Sequence, residues 1–215
     1  MAIREDFVRA RSDREMAARQ EEILETAEVL LLESSDHRFT IADLASRLGI
    51  SKSTVFLHFR NREELLARLY MRVGEGFFAD FRKKLRKGMS DQAFCEAFVD
   101  TALASPALMI LRSMMLNTVS HSLSQDYVAP AFEAIFRTRM QAVVDTEEAL
   151  GLEPGKGRIL IKAFMNLMCG AAQVNVMQYI NTEDFPDNVA EGIRAADIRS
   201  SFLSGAELVM KGART

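Results

Sequence analysis

Five basic residues, Arg38, Arg47, Lys52, Arg60 and Arg62, fall in a stretch whose only acid is Asp43. Among them stand the hydroxyls of Thr40, Ser51, Ser53 and Thr54 and the imidazole of His58. Cationic and hydroxylic groups at this density suit the oxygens of a phosphate backbone, and short polar side chains suit the donors and acceptors on base edges. The chain as a whole points the other way, with 27 Lys and Arg against 30 Asp and Glu in 215 residues. A polyanion senses the local face more than the net charge, because exposed charges are screened beyond about 8 Å at physiological salt. The expectation is a nucleic-acid-binding face on an otherwise acidic protein.

Such residues need short, well-terminated helices to hold them. Thr40 is placed to cap a first helix, with Asp43 three residues on to close a capping box. Ile41, Leu44, Ala45 and Leu48 then recur at helical spacing, and Gly49 falls where the helix must stop. Ile50 is an apolar plug, and Ser51 caps a second helix of roughly 52–59. In that helix Val55 and Phe59 mark the core side, leaving Lys52, Ser53, Thr54, Phe56 and His58 outward. Asn61 with Glu64 begins a third, longer helix. A helix-turn-helix followed by a support helix is the pattern that reads double-stranded DNA in the major groove.

The match in Thr40, Ile41, Leu44, Ala45, Gly49, Ile50, Ser51, Thr54, Val55, His58, Phe59, Asn61, Glu63 and Leu65 resembles the N-terminal domain of the TetR family of bacterial transcriptional regulators. The resemblance implies that Thr40 and Ser51 hold phosphates and that Lys52, Ser53 and Thr54 enter the major groove or touch its rim. It also implies backbone contacts from His58 and from Arg62, the latter in place of a more usual lysine. Two positions depart from the family: Phe56 replaces a common tyrosine and Leu57 a frequent aromatic. Phe56 keeps a ring for sugar or a thymine methyl but loses a hydroxyl, so fewer phosphate anchors are expected, with Arg60 compensating.

The remainder reads as all-α. Hydrophobic residues make up 48%, there is no tryptophan, only four prolines interrupt, and no strand-like alternation stands out. Three regions are expected: an N-terminal arm and helix-turn-helix domain over 1–62, a connecting helix over 63–88, and a larger C-terminal domain over 89–215. Helix 1, about 14–33, places Ile23, Ala27, Leu30 and Leu31 behind the DNA-reading pair. Ahead of it, Arg4, Arg9, Arg11 and Arg14 stand among the acids Glu5, Asp6 and Asp13, suiting either a flexible arm into the minor groove or a solvated extension leading into helix 1. No signal peptide is expected, because Met1 to Arg14 is charged throughout. No membrane span is expected either, since Lys162, Asn166, Gln173 and Asn175 interrupt the most apolar stretch, 159–180. The expected location is cytoplasmic. Cys95 and Cys169 lack metal-ligand spacing and read as buried free thiols.

A ridge at strict four-residue spacing follows the third helix cap: Leu65, Leu69, Val73, Phe77, Phe81 and Leu85. Each step of four drifts by about 40°, so the ridge turns through about 200° and can serve different neighbours at its two ends. Gly74 and Gly76 interrupt it, for a bend or for close packing. The family assigns this helix the transmission of ligand occupancy to the DNA-reading helices. Further helices are expected from Ser90 or Asp91 to Ala104, from Ser105-Pro106 to about Val119, from Gln125 to Leu150, and from Gly155 or Gly157 to near Asn181. The Thr182–Asn188 stretch reads as a loop before a last helix ending near Lys211.

The resemblance further implies a dimer made by the last two long helices, for which Ala163, Gly170, Ala171, Val174, Phe202, Leu203, Ala206 and Val209 are the candidates. It also implies a small, mainly apolar effector. Met109, Met114, Met115, Met165, Met168 and Met177 suit an adaptable apolar interior, with Asn117, His121, Asn166, Cys169, Gln173 and Gln178 as polar contacts. Of these, Met114, Asn117, His121, Met165, Met168, Cys169 and Gln173 are the pocket candidates, against ordinary core filling. No cofactor or metal is expected. No enzyme is expected: Glu147 and Glu148 are adjacent rather than facing, histidine is scarce, and no nucleophile motif or phosphate loop appears. The leading expectation is a dimeric, ligand-responsive regulator of a palindromic DNA operator, by resemblance a repressor. The alternative is a DNA-binding regulator whose C-terminal domain serves only dimerisation or protein partners.

Overall fold

All six residues of the four-spaced ridge are buried, from Leu65 through Leu85, along α4 (Arg62–Lys84) and its C-cap. A computed structural model describes residues 2–34, 36–115, 125–174, 185–194 and 197–214, without the side chains of 2–13, 125–132, 134, 135, 173, 174, 193 and 194. Among the described residues the chain is all-helical: α1 (Ala2–Glu33), α2 (Ile41–Leu48), α3 (Lys52–His58), α4, α5 (Asp91–Leu103), α6 (Pro106–Met114), α7 (Gln125–Leu150), α8 (Lys156–Val174), α9 (Asp187–Arg194) and α10 (Ile198–Arg214).

α4 is the spine. It packs on α1 at its start and on α5, α6 and α7 further along, while α10 packs on both α8 and α5. The first part of the ridge joins Ile23, Ala27 and Leu31 of α1 and Leu44, Val55 and Phe59 of the helix-turn-helix in one continuous core. Its later part enters a cluster of six fully buried phenylalanines. Phe98 of α5 is the hub: it stacks on Phe202 of α10 with centroids 5.5 Å apart and meets Phe77, Phe81 and Phe164 edge-on at 5.2–5.4 Å. Such pairs each add about 0.5–1.5 kcal/mol beyond the area they bury. Neither glycine breaks α4, which runs as one helix, and a side chain at Gly76 would meet open space, so Gly76 is not there for close packing.

Three boundaries differ from the sequence expectation. α1 starts at Ala2 rather than Arg14, so the residues ahead of Arg14 continue the helix; no glycine or proline stands before Glu33 to interrupt it. The expected loop ending at Asn188 gives way to α9, because Pro186 sits where a helix begins and its carbonyl accepts from Val189 and Ala190. α10 runs past Lys211 to Arg214, whose guanidinium donates to the Leu150 carbonyl at 2.7 Å and pairs with Asp91. α6 is described to Met114, followed by Met115, and α8 to Val174; the expected continuations to Val119 and Asn181 lie outside the described residues. Among the described residues no single helix is long and apolar enough to cross a membrane.

Candidate nucleic-acid interface

Local hydrogen bonds fix the two short helices before any tertiary contact is counted. The Thr40 hydroxyl accepts from the Asp43 amide at 3.1 Å, and the Asp43 carboxylate accepts from the Thr40 amide at 2.8 Å and from its hydroxyl at 2.7 Å. These donors hold the Asp43 carboxyl below its ordinary range. At the other end Gly49 takes φ +65°, and the Ile50 amide reaches back to the Ala45 carbonyl at 3.0 Å. Ser51 caps α3 by accepting from the Thr54 amide at 3.1 Å, and its hydroxyl lies 2.7 Å from that of Ser53 and 2.8 Å from that of Thr54. α3 is too short to hold itself; Val55 and Phe59, both buried, seat it on α1 and α2.

The outward face of α3 then presents Lys52, Ser53, Phe56 and Leu57, with Thr54 half-buried beside them. Phe56 is 47% exposed and Leu57 77% exposed, large apolar surfaces with no cover in the protomer. On a face meant for water these would be anomalous. On a face that meets the grooves of a duplex they supply contacts to sugars and thymine methyls.

The structure redistributes several of the other candidates. The Arg62 Nε donates to the Phe39 carbonyl at 3.0 Å, and its guanidinium lies 5.5 Å over the Phe39 ring, so this residue braces α4 against the loop before α2. Arg47 pairs with Glu33 of α1, which draws its charge back toward the scaffold. Lys52 and Arg60 stand exposed at the ends of α3, and Arg38, exposed near Thr40, lies 4.0 Å from the Asp36 carboxylate. The Arg60 amide donates to the buried Glu64 carboxylate at 2.9 Å, while Asn61 accepts from the Glu64 amide at 2.7 Å, so the α4 cap also sets the chain leaving α3.

His58 is half-buried, and its Nδ1 is closed to solvent without a hydrogen-bond partner. Burial, then the nearby charge of Arg19, pushes its pKa down, so the ring is neutral at pH 7 and is no cation for a phosphate. The Thr40 hydroxyl is engaged by Asp43 in the capping box.

The pocket candidates do not converge on one place. Met165 and Met168 are buried core of α8, and the Cys169 Sγ lies 3.8 Å from the Met109 Sδ. Met114 lines a cleft of about 790 Å³ between the end of α6 and the loop before α2, with Phe39, Thr40, Arg62 and Leu66 opposite. Asn117, His121, Met177 and Gln178 lie outside the described residues, as do the side chains of Gln173 and Val174. The sequence reading missed Arg112 of α6 and Arg139 of α7; a lone arginine inside the apolar run of α6 was the available signal. Cys95 is buried, its thiol pushed up to about 11 by burial and then by Asp91.

The dimer candidates divide by burial. Phe202 and Ala206 have no exposed surface and Ala171 only 7%, because α10 folds onto α8 and α5 within the protomer; these three are core, not surface open to a partner. Gly205 shows how closely the pair approaches: a side chain there would meet Leu167 at 3.0 Å. Ala163, Leu203 and Val209 are half-buried, and Gly170 is exposed with open space above it. Among the described residues of this helix pair, the large apolar side chains left open are Ile159, 68% exposed, and Leu208, 70% exposed, neither anticipated from sequence.

A capped helix-turn-helix seated on an all-helical body defines a DNA-binding regulator. Residues 23–69 match the family model described as bacterial regulatory proteins, tetR family, so this chain carries the DNA-binding unit that the model describes. The fold is shared with a TetR family transcriptional regulator, PfmR, from Thermus thermophilus, at 18% identity, TM-score 0.52, and coverage of 88% of this chain and 97% of that one. A transcriptional regulator from Cytophaga hutchinsonii is similar at 18% identity and TM-score 0.55, covering 91% and 98% of the two chains. No curated protein matches the chain by sequence. Its relatives are transcription regulators rather than enzymes.

Proposed function

We propose that this regulator is a cytoplasmic repressor that binds a palindromic operator as a homodimer and releases it when a small effector occupies the C-terminal part. The observation that carries the DNA half is α3 itself: its core side is locked by Val55 and Phe59, while Lys52, Ser53, Phe56 and Leu57 stand open. Thr40, Ser51 and Thr54 flank that face, and Arg60 and Lys52 supply its charge. His58 and Arg62 act through position, shaping the exit from α3.

The dimer reading is supported by Ile159 of α8 and Leu208 of α10, two large apolar side chains left exposed in the protomer. A two-fold pairing through them would set two copies of α3 about 34 Å apart or a multiple of that, one turn of the duplex. The effector reading is supported by α4, which shares one buried ridge with the DNA-reading helices and with the phenylalanine cluster. A rearrangement of α5 or α8 that moved Phe77 or Phe81 would be felt at Leu65 and Leu69.

The test is light scattering of the protein on operator DNA, with and without candidate effectors. Two chains per duplex, falling to free dimer on effector addition, support the proposal. A stable complex indifferent to every effector would leave a DNA-binding regulator whose C-terminal part only assembles.

A further inference from the structure

Two guanidiniums share a half-buried seam between helices, with no counter-charge among the described residues. Arg112 of α6 donates through one terminal nitrogen to the Asn166 Oδ1 of α8 at 2.9 Å, and its other terminal nitrogen lies 3.5 Å from the Tyr70 hydroxyl of α4. Its Nε is closed to solvent and has no acceptor. Arg139 of α7 is half-buried and lies within electrostatic reach of the Arg112 guanidinium. Burial holds the Arg139 pKa below the ordinary arginine value, and the positive charges of Arg112 and of Arg158 add to that, with Tyr70 opposing. Among the described residues no carboxylate pairs with either arginine; Asp145, further along α7, is committed to Arg82.

Cations withdrawn from water are ordinarily matched by an anion, because desolvation without a partner is costly. Here four helices bring two cations and two hydrogen-bonding groups together, and their described residues supply none. The next rung of the same α6–α8 seam is apolar: Met109 and Cys169, one turn from Arg112 and Asn166, meet through their sulfurs at 3.8 Å. Met109 and Met165 are buried, so that continuation runs into the protomer rather than along its surface.

We infer that Arg112 and Arg139 receive the acidic head of an amphipathic anion, a carboxylate or phosphate on an apolar body that lies along the methionine-lined α6–α8 seam. This rests on the reading that the C-terminal part takes an effector, and it adds the effector's charge. Tyr70 and Asn166 complete the head site as hydrogen-bonding groups, and Tyr70 places it on α4, the helix that carries Leu65 and Leu69 to the DNA-reading unit.

The test uses the full chain and a matched panel: dodecanoate, dodecyl phosphate, dodecanol and inorganic phosphate. Binding is read by calorimetry and by thermal shift, and operator release by fluorescence anisotropy. The acid or the phosphate ester should bind at least tenfold more tightly than the alcohol, and which of the two does so identifies the head. Arg139→Met and Arg112→Met should erase that difference, and Arg112→Lys should restore part of it. Because Arg139→Met removes an uncompensated charge, its melting temperature should equal or exceed that of the wild type; a fall would mean the guanidinium already has a structural partner, and the inference fails. Equal binding of acid and alcohol, or no binding by any member of the panel, also overturns it. So does loss of the dimer in Arg139→Met, which would assign the pair to a carboxylate of a second copy. Anions that bind at the pair without releasing operator would keep the site and remove effector gating; release by the alcohol alone would keep gating and remove the anion.

Discussion

Arg62 on the first turn of α4 donates its Nε to the carbonyl of Phe39 at 3.0 Å and covers the Phe39 ring at 5.5 Å. One side chain thus ties the spine helix to the residue just before the α2 cap. Arg62→Ala should cost about 1–2 kcal/mol in stability, from one charged hydrogen bond and one partly desolvated cation–π contact. It should also weaken DNA binding by a similar factor on every sequence, because it shifts the angle of α2 rather than a base contact. Urea unfolding and anisotropy on several operators check both. A loss confined to one base position would make Arg62 a reader instead.

Phe56 is the exposed aromatic of α3 and has no hydroxyl. Phe56→Tyr is expected to tighten operator binding by about 0.5–1.5 kcal/mol, the net worth of one added hydrogen bond, without changing the preferred sequence. Competition binding with point-mutated operators measures it. Unchanged affinity would mean that the ring points away from the backbone.

Phe98 contacts four other buried rings from three different helices. Phe98→Ala should destabilise the protein by about 3–5 kcal/mol. Against a total of about 5–15 kcal/mol, that brings unfolding close to working temperature. Denaturant melts should show a lower midpoint with an unchanged slope. A change under about 1 kcal/mol would mean that the cluster repacks freely.

Leu208 and Ile159 are open in the protomer, so Leu208→Glu and Ile159→Glu should leave the protomer folded while splitting the dimer. Light scattering should report the single-chain mass of 24.1 kDa with helical circular dichroism intact. A retained dimer moves the interface elsewhere. Ala171→Glu is a poor version of this experiment, because Ala171 is buried and a charge there would disrupt the α8–α10 packing.

His58 gives a pH dependence whose sign is set by burial. Its folded pKa lies below the ordinary 6.5, so the folded state favours the neutral ring. As pH falls through 6.5 the unfolded chain gains a proton that the folded chain resists, and stability drops until the lower folded pKa is passed. Melting temperatures between about pH 8 and about pH 5 should decline in that window, and His58→Gln should flatten the decline. An unchanged profile would place the dependence on other groups.

What the sequence revealed follows the range of the interactions. Thr40 with Asp43, Gly49, Ser51 and Asn61 act on residues within a turn, so their types and spacing specify the caps and stops found. The ridge from Leu65 to Leu85 was readable for the same reason, since one helix imposes its period. Partners distant in the chain were not. Arg47 with Glu33 and Arg62 with Phe39 depend on how helices cross, so their charges looked available when they are engaged. Phe202 and Ala206 mark an apolar stripe, but periodicity does not say whether α5 and α8 or a second chain covers it. Arg112 and Arg139 lie on different helices, and only the fold brings them together.

The central claim is that α3 reads duplex DNA in a two-fold arrangement. Selection from a random duplex library by the full chain tests it most directly. The expected result is enrichment of an inverted repeat with half-sites one helical turn apart or a multiple of it, abolished by Lys52→Glu in a protein that remains folded and dimeric. Enrichment of no inverted repeat, or the same repeat selected equally well by Lys52→Glu, would contradict it.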